Sequence, residues 1–225
     1  MAIPKRQPAI RQPPKRADGT QQALVADPLG ADTKQVPSAY LTNQLLIAMP
    51  ALADPHFARS VTLICEHNDQ GALGIMINRP MNMLLGEVFS QLSLHATDPK
   101  LAQQPILRGG PVQLERGFVL HPPEADGSTP WDSTLKVSPT LRVTTSRDIL
   151  TAMARGAGPE QAVIALGYAG WDAGQLEEEI RSNAWLNVTA DRDILFNTPI
   201  EQRWHAAARL LGIDFERLSH QAGHA

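Results

Sequence analysis

The chain has a single cysteine, Cys65, and no uncharged apolar stretch of the roughly 18 residues that a membrane-spanning helix requires. One cysteine cannot form an intramolecular disulfide, which is typical of a protein kept in a reducing compartment. The N-terminus carries charge and proline in place of the apolar core of a secretory signal. We therefore expect a cytoplasmic protein with no membrane segment.

The usual motifs of catalysis and cofactor binding are also missing. The sequence contains no C-x-x-C or H-E-x-x-H spacing, no G-x-S-x-G elbow, no G-x-G-x-x-G loop and no P-loop lysine. These absences argue against a closed zinc site, an α/β-hydrolase nucleophile and the standard nucleotide-binding loops. We predict no catalytic residue, no metal and no cofactor.

Weaker chemical alternatives remain in the sequence. Ser60 has His56 and Asp54 nearby and so has the residue types of a Ser-His-Asp site, but sequence neighbours seldom assemble into a triad. Cys65 and His67 would share one strand face, without enough partners for zinc, and His220 with His224 would bind a metal only weakly. We favour structural roles for all of these residues.

Charge divides the chain into two parts. Hydrophobic residues make up 43% and charged residues 19% of the 225 residues, as in an ordinary globular protein. Residues 1–39 hold six basic and three acidic side chains, a net charge of +3. The other 186 residues hold 14 basic and 20 acidic side chains, a net charge of -6. An acidic body does not suit a phosphate backbone, so direct nucleic-acid binding is expected only through the basic tail.

The tail, residues 1–38, is rich in proline and lacks a periodic apolar pattern, so it cannot bury enough surface to offset chain entropy. We predict a flexible extension followed by one domain over residues 39–225. Two alternatives remain for the tail. It could contact nucleic acid or acidic lipid, or it could result from an early start codon.

Local patterns predict both helices and strands. Val61 to His67, the turn Asn68 to Gly71 and Leu73 to Ile77 predict a hairpin. Further strands are predicted at 105–108, 117–121, 141–145, 163–168 and 194–196, and helices at 84–92, 149–155, 173–183 and 198–211. Ser146 is the predicted N-cap of the second helix. In the last helix one apolar face runs from Ile200 to Leu211, and Gly212 ends the helix. The segment Leu41 to Ala48 is amphipathic, and Pro50 ends it by restricting the backbone of the preceding residue. Strands occur both in hairpins and between helices, which favours a mixed α+β class.

The segment Gly167 to Trp171 is the most informative feature of the chain. It follows the apolar run Ala162 to Leu166 and precedes an acidic amphipathic segment, so we predict a glycine turn between a strand and a helix. Asp172, Glu177 and Glu178 at this turn would repel a phosphate, which favours a structural turn over an anion site. Glu177, Glu178 and Glu179 fan around the helix as a solvated face.

Several ordered blocks make the chain resemble the YqgE/AlgH family of bacterial cytoplasmic proteins. The resemblance covers residues 39–225 and rests on these blocks: 45–50 with Asp54-Pro55-His56-Phe57, 71–80, Gly109 to Val112, Gly167 to Trp171, 174–180, 183–185 and 219–225. It implies an irregular α+β fold, a bifurcated sheet with a small barrel-like portion surrounded by helices. No catalytic residue is established for that family, so none is carried over.

The function expected from these observations is that of a non-enzymatic regulatory or interaction protein with a protein partner. Some members of the family have been linked to transcriptional regulation. The candidate binding residues lie at strand ends beside glycine or proline, where side chains commonly carry function: Asn78, Arg79, Arg108, Gly109, Gly110, Pro111, Gly170 and Trp171. We expect Arg79, Arg108 and Trp171 to be exposed anchors on one surface. The structural alternative is that Trp171 fills the core beneath Ile180 and that either arginine pairs with Glu177 or Glu178. The alternative is a small-ligand binder or enzyme that uses the same loops. A concave site with perturbed carboxylates would indicate this alternative, whereas a flat patch would indicate an interaction protein.

Overall fold

The structure of the protein, a computed structural model, describes residues 40–124 and 130–215. The strands are β1 Gln44–Ala48, β2 Val61–Asn68, β3 Gly71–Met76, β4 Pro80–Leu84, β5 Pro105–Arg108, β6 Val112–His121, β7 Thr134–Ser138, β8 Leu141–Thr144, β9 Val163–Asp172 and β10 Trp185–Thr189. The helices are α1 Leu85–Gln91, α2 Pro99–Ala102, α3 Arg147–Ala154, α4 Gln175–Arg181, α5 Arg192–Phe196 and α6 Arg203–Leu210, the last preceded by a 3₁₀ turn, Ile200–Gln202.

The ten strands form one curled sheet, a half-barrel in the order β10-β1-β2-β3-β9-β6-β8-β7, with β4 and β5 branching from it. Strand β9 makes the branch. Its residues 169–172 pair with β3, Ala165 and Leu166 pair in parallel with β5, and β6 pairs with residues between Val163 and Tyr168. The fold is therefore α+β with a bifurcated sheet, as the resemblance implied.

Both faces of the sheet are covered. In β1, Leu45 and Ile47 enter the largest apolar cluster with α5 and α6, whereas Leu46 and Ala48 enter a second cluster with α4. Successive strand residues point to opposite faces, so a segment buried on both sides reads as nearly continuous apolar sequence. A third cluster packs α1 and α3 against β5, β6 and β9.

Many of the predicted elements are confirmed. The hairpin of β2 and β3 is present, with an irregularity between Ile64 and Glu66, and α1, α3, β5 and β8 lie within a few residues of their predicted positions. Gly212 follows α6 with a φ of +72°, as predicted for a helix end. Strands β4, β7 and β10 were not predicted. The amphipathic segment Leu41 to Ala48, which was assigned to neither a helix nor a strand, contains β1.

Two local predictions are wrong. Residues 194–196 form helix α5 instead of a strand, because the Asp191 side chain accepts a hydrogen bond from the Ile194 amide (3.0 Å) and caps a helical turn. Leu211, predicted on the buried face of the last helix, is 38% exposed. The helix begins later than predicted, after the 3₁₀ turn.

The predicted glycine turn at 167–171 is also wrong, since β9 continues through Trp171 to Asp172. Gly167, with a φ of +74°, bends the strand without ending it, and a Cβ there would lie 2.7 Å from the Gly110 carbonyl oxygen. The chain turns later, at Gly174, whose φ of +76° leads into α4. Trp171 is therefore a strand residue.

Within residues 40–124 and 130–215, no helix is long and apolar enough to cross a membrane. The predicted flexible tail, the block at 219–225 and the pair His220 and His224 lie outside the described residues.

Candidate functional site

A cavity of about 670 Å³ lies between the loop Leu52–Phe57 and helix α4. We call it the α4 pocket. Its lining comprises the whole of that loop together with Gln175, Glu178, Glu179, Ser182, Ala184 and Trp185. The pocket is therefore built from two short segments that are far apart in sequence.

The pocket loop is fixed by its own backbone and by one aromatic anchor. The Asp54 carboxylate accepts from the His56 amide (2.8 Å), and the Asp54 carbonyl accepts from the amides of Phe57 (3.0 Å) and Ala58 (2.8 Å). The Phe57 side chain is buried, with its ring centroid 5.5 Å from that of Trp185 and 6.2 Å from that of Trp171. Such packing gives the pocket a rigid apolar floor.

The carboxylate of Glu179 is the central polar group of the site. Its Oε2 atom accepts hydrogen bonds from the indole Nε1 atoms of Trp171 (2.9 Å) and Trp185 (2.8 Å). Its Oε1 atom accepts from the side-chain amide of Gln175 (2.9 Å), four residues earlier on α4. Buried indole N–H groups need an acceptor, and one helical glutamate supplies it for both.

The polar lining is mainly acidic. It contains three carboxylates, Asp54, Glu178 and Glu179, and one basic side chain, that of the exposed His56. Glu178 forms an ion pair with Arg181 on the same helix. Among the described residues, no lysine, arginine or histidine nitrogen lies within 4.0 Å of the Glu179 carboxylate.

The three adjacent glutamates of α4 do not form one solvated face, contrary to prediction. Glu177 accepts a hydrogen bond from Nε2 of the buried His67 (3.0 Å), while Nδ1 of that ring accepts from the Leu41 amide (2.9 Å). The backbone donor places the ring proton on Nε2, so the imidazole is neutral in this arrangement. Each glutamate thus has a different partner.

A second group of predicted residues forms what we call the glycine junction: Asn78, Arg79, Arg108, Gly109 and Gly110. Here the chain passes very close to β9. A Cβ on Gly109 would lie 2.3 Å from the Gly167 carbonyl oxygen, and one on Gly110 would lie 2.0 Å from the Tyr168 carbonyl carbon. The two glycines are required because backbone contacts backbone at these positions.

Asn78 and Arg79 tie the junction to the segment that follows the pocket loop. The Asn78 side chain accepts from the Val61 amide (2.7 Å) and donates to the Arg59 carbonyl (2.9 Å). The Arg79 guanidinium donates to the Ala58 carbonyl, and burial lowers the pKa of Arg79. These side chains therefore fix the end of the pocket loop through the residues that directly follow it.

The structure does not bring the eight predicted residues to one exposed surface, and none of them lines the α4 pocket. Trp171 is 6% exposed, which contradicts its expected role as an exposed anchor, because it packs under α4 with Leu176. Gly109 and Gly110 are buried, Asn78, Arg79, Pro111 and Gly170 are half-buried, and Arg108 is exposed.

The residues that line the pocket were not predicted from the sequence. Two signals were present in it, the block Asp54 to Phe57 and the helical spacing of Gln175 and Glu179. Neither indicates that the two segments meet.

Comparison with known proteins places the chain in a family. The profile described as AlgH-like (DUF179) matches residues 45–216, which is most of the chain. The chain belongs to the AlgH-like family. A UPF0301 protein of Xanthomonas campestris pv. campestris (strain B100) is 53% identical over 185 residues, 82% of this chain and 96% of that protein. A UPF0301 protein of Thioalkalivibrio sulfidiphilus is 55% identical over 188 residues, 84% of this chain and 98% of that one.

Two solved structures share the AlgH-like fold. The solution structure of the AlgH protein from Pseudomonas aeruginosa is 51% identical, with a TM-score of 0.68 and coverage of 85% of this chain and all of that one. A crystal structure of a Corynebacterium diphtheriae protein is 22% identical, with a TM-score of 0.61 over 76% of this chain and 86% of that one. The second similarity concerns the fold alone.

Within residues 40–124 and 130–215, the geometry does not support a nucleophile at Ser60 or a reactive or metal-binding Cys65. Ser60 is fully buried, whereas His56 is exposed in the pocket loop. Burial, aided by the charge of Glu66, raises the pKa of the Cys65 thiol far above its ordinary value, so the thiol is inert at neutral pH. Within the described ranges, no group of three His, Cys, Asp or Glu side chains is arranged to hold a metal ion.

Proposed function

We propose that this AlgH-like protein is a non-enzymatic binding protein that receives a segment of a protein partner in the α4 pocket. The observation that carries this proposal is the α4 pocket, a concave apolar floor with a few fixed polar groups at its edge, which can receive a protruding side chain of a partner as well as a small ligand. Ligand sites generally have this composition. A site whose side chains are already held in place loses less conformational entropy on binding.

The eight residues predicted from the sequence enter this proposal as supports of the pocket. Asn78 and Arg79 hold the end of the pocket loop, and Trp171 holds Glu179 from below. Among the remaining five, Arg108 pairs with Leu166 of β9, Gly109 and Gly110 lie against the β9 backbone, and Gly170 is a residue of β9. We propose a positioning role for these residues in place of direct contact with the partner.

A cytoplasmic location and a regulatory role belong to the same proposal. The lone buried thiol of Cys65 agrees with a reducing compartment. The link to transcription rests on the family resemblance, and it operates through a protein partner because the body of the chain is acidic. Contact with nucleic acid is assigned to the basic tail alone.

A small-molecule binder is the second candidate. The volume of about 670 Å³ falls within the roughly 300–1,000 Å³ typical of small-ligand sites. Mass spectrometry of the protein purified under native conditions tests this candidate, since a tightly held metabolite would add its mass to that of the chain.

The partner proposal is tested by blocking the pocket. Ala53 is exposed and lines the pocket, so Ala53→Trp fills the space without touching the core. Lys136→Trp, at an exposed position of β7, is the matched control because it adds the same aromatic surface elsewhere. We expect the full chain, the chain lacking residues 1–38 and the control to capture the same partner from native lysate, and Ala53→Trp to lose it. Equal capture by Ala53→Trp would reject the pocket as the partner site.

A further inference from the structure

We propose that the occupant of the α4 pocket presents a lysine side chain, whose ammonium group contacts Glu179. This inference rests on the proposed function and names the chemistry of the partner segment. Three features of the pocket carry it: the charge on Glu179, its remaining hydrogen-bond capacity and the apolar surface beside it.

The negative charge of Glu179 is not balanced by any described neighbour. Its three hydrogen-bond donors, two indoles and one amide, are all neutral. The neighbouring Glu178 and Asp54 carry the same sign, and Arg181 is engaged with Glu178. A half-buried carboxylate in this setting favours a cation over an anion or an uncharged group.

The hydrogen-bond capacity of Glu179 sets the kind of cation. An ionised carboxylate has about four acceptor positions, and three are occupied. A bidentate arginine needs two positions on the pair of oxygens, whereas an ammonium group acts as a point charge and needs one. The remaining capacity therefore matches lysine better than arginine.

The rest of the lining suits an aliphatic stem. Leu52, Ala53, Pro55 and Phe57 provide apolar surface on the side of the pocket opposite α4. Lysine buries its methylene chain along such surface while its charged end reaches a polar group.

The structural role of Glu179 does not by itself account for a charged residue. The two indole N–H groups need an acceptor oxygen, which a glutamine side chain would also provide. Glu179→Gln therefore keeps an acceptor for both tryptophans and removes the charge. Glu115→Gln is the control, because it removes a carboxylate charge at an exposed position of β6 that does not line the α4 pocket.

The experiment uses the full chain and a peptide with blocked termini, Ala-Leu-Lys-Leu-Ala, together with the same peptide carrying Nε-acetyl-lysine or arginine. The ¹⁵N-labelled indole signals of Trp171 and Trp185 report on the pocket, and those of Trp131 and Trp204 serve as internal references. We expect saturable shifts of the first two signals, with affinity for the lysine peptide about tenfold or more above that for its acetylated form. Glu179→Gln should abolish this preference, and Glu115→Gln should keep it within about threefold.

Equal affinity for the lysine and acetyl-lysine peptides would overturn the inference, as would a preference that survives in Glu179→Gln or tighter binding of the arginine peptide. The wild-type comparison alone decides the matter if Glu179→Gln does not fold. Loss of partner capture in Ala53→Trp without any ammonium preference would reject lysine and leave the proposed function standing. Unchanged capture in Ala53→Trp would reject the proposed function itself.

Discussion

The glycine junction and the α4 pocket involve successive parts of one segment, residues 52–61, and they use their residues differently. At the junction, glycines and polar side chains bring backbone against backbone, and Asn78 and Arg79 bond to main-chain atoms. At the pocket, the Glu179 side chain of α4 accepts hydrogen bonds from tryptophans of β9 and β10, and a concave space remains between α4 and the pocket loop. Residues that look functional in the sequence can therefore stabilise the fold, while other residues line the open site.

The largest effect that tests this comparison is expected for Gly110→Ala. The added Cβ would lie 2.0 to 2.3 Å from backbone atoms of Tyr168 and Ala169, which cannot move without separating β9 from its neighbours. We expect a loss of more than about 4 kcal/mol in the free energy of unfolding, or no folded protein. Gly117→Ala is the control, because its Cβ meets only a Leu166 methyl group at 4.0 Å and should cost less than about 1 kcal/mol. Similar denaturation midpoints for the two variants would contradict the close approach.

A smaller effect is expected beneath the pocket, for Trp171→Ala. The side chain is 6% exposed and packs in the second apolar cluster, so its removal should cost about 3 kcal/mol. Trp171→Phe keeps most of the apolar contact and removes one donor to Glu179, and should cost about 1 kcal/mol. Urea denaturation measures both. A change below about 0.5 kcal/mol for Trp171→Ala would return this residue to the surface role predicted from the sequence.

The smallest effect separates the two arginines of the junction. Arg79→Ala leaves the Ala58 carbonyl without its donor and should cost about 1 kcal/mol, whereas Arg108→Ala, at an exposed position, should stay within about 0.5. Because Arg79 holds the end of the pocket loop, its removal should also speed amide hydrogen exchange at Phe57 and Ser60. Equal exchange in the two variants would mean that Arg79 does not position the loop.

The sequence predicts elements whose signals are local. The hairpin at Asn68 to Gly71, the α3 segment after Ser146 and the helix end at Gly212 depend on turn glycines and periodic apolar residues within one segment. It fails where a long-range contact decides the conformation. Gly167 reads as a turn residue, yet the strand continues because β3 supplies hydrogen bonds to Ala169 and the residues after it.

The candidate site follows the same rule. The position of Trp171 beside Gly170 predicts an exposed aromatic side chain. It is buried because Glu179 and Phe57, from other segments, contact it. The glutamate run of α4 reads as a solvated face because its partners, His67 and Trp185, come from β2 and β10. The spacing of residues in the sequence predicts the helix itself, but it does not indicate which other segments pack against that helix.

Strand β9 has a consequence for how the chain is made. It begins at Val163 of 225 residues, and it supplies hydrogen-bonding partners to β3, β5 and β6, all of which precede it. From its own synthesis until residues 163–172 have been made, each of those three strands therefore has one unpaired edge, which is a template for pairing with other chains. The sheet closes in a late step that depends on distant contacts, and such steps are slow. A nascent chain that stalls before Val163 is thus left in the state most prone to aggregate.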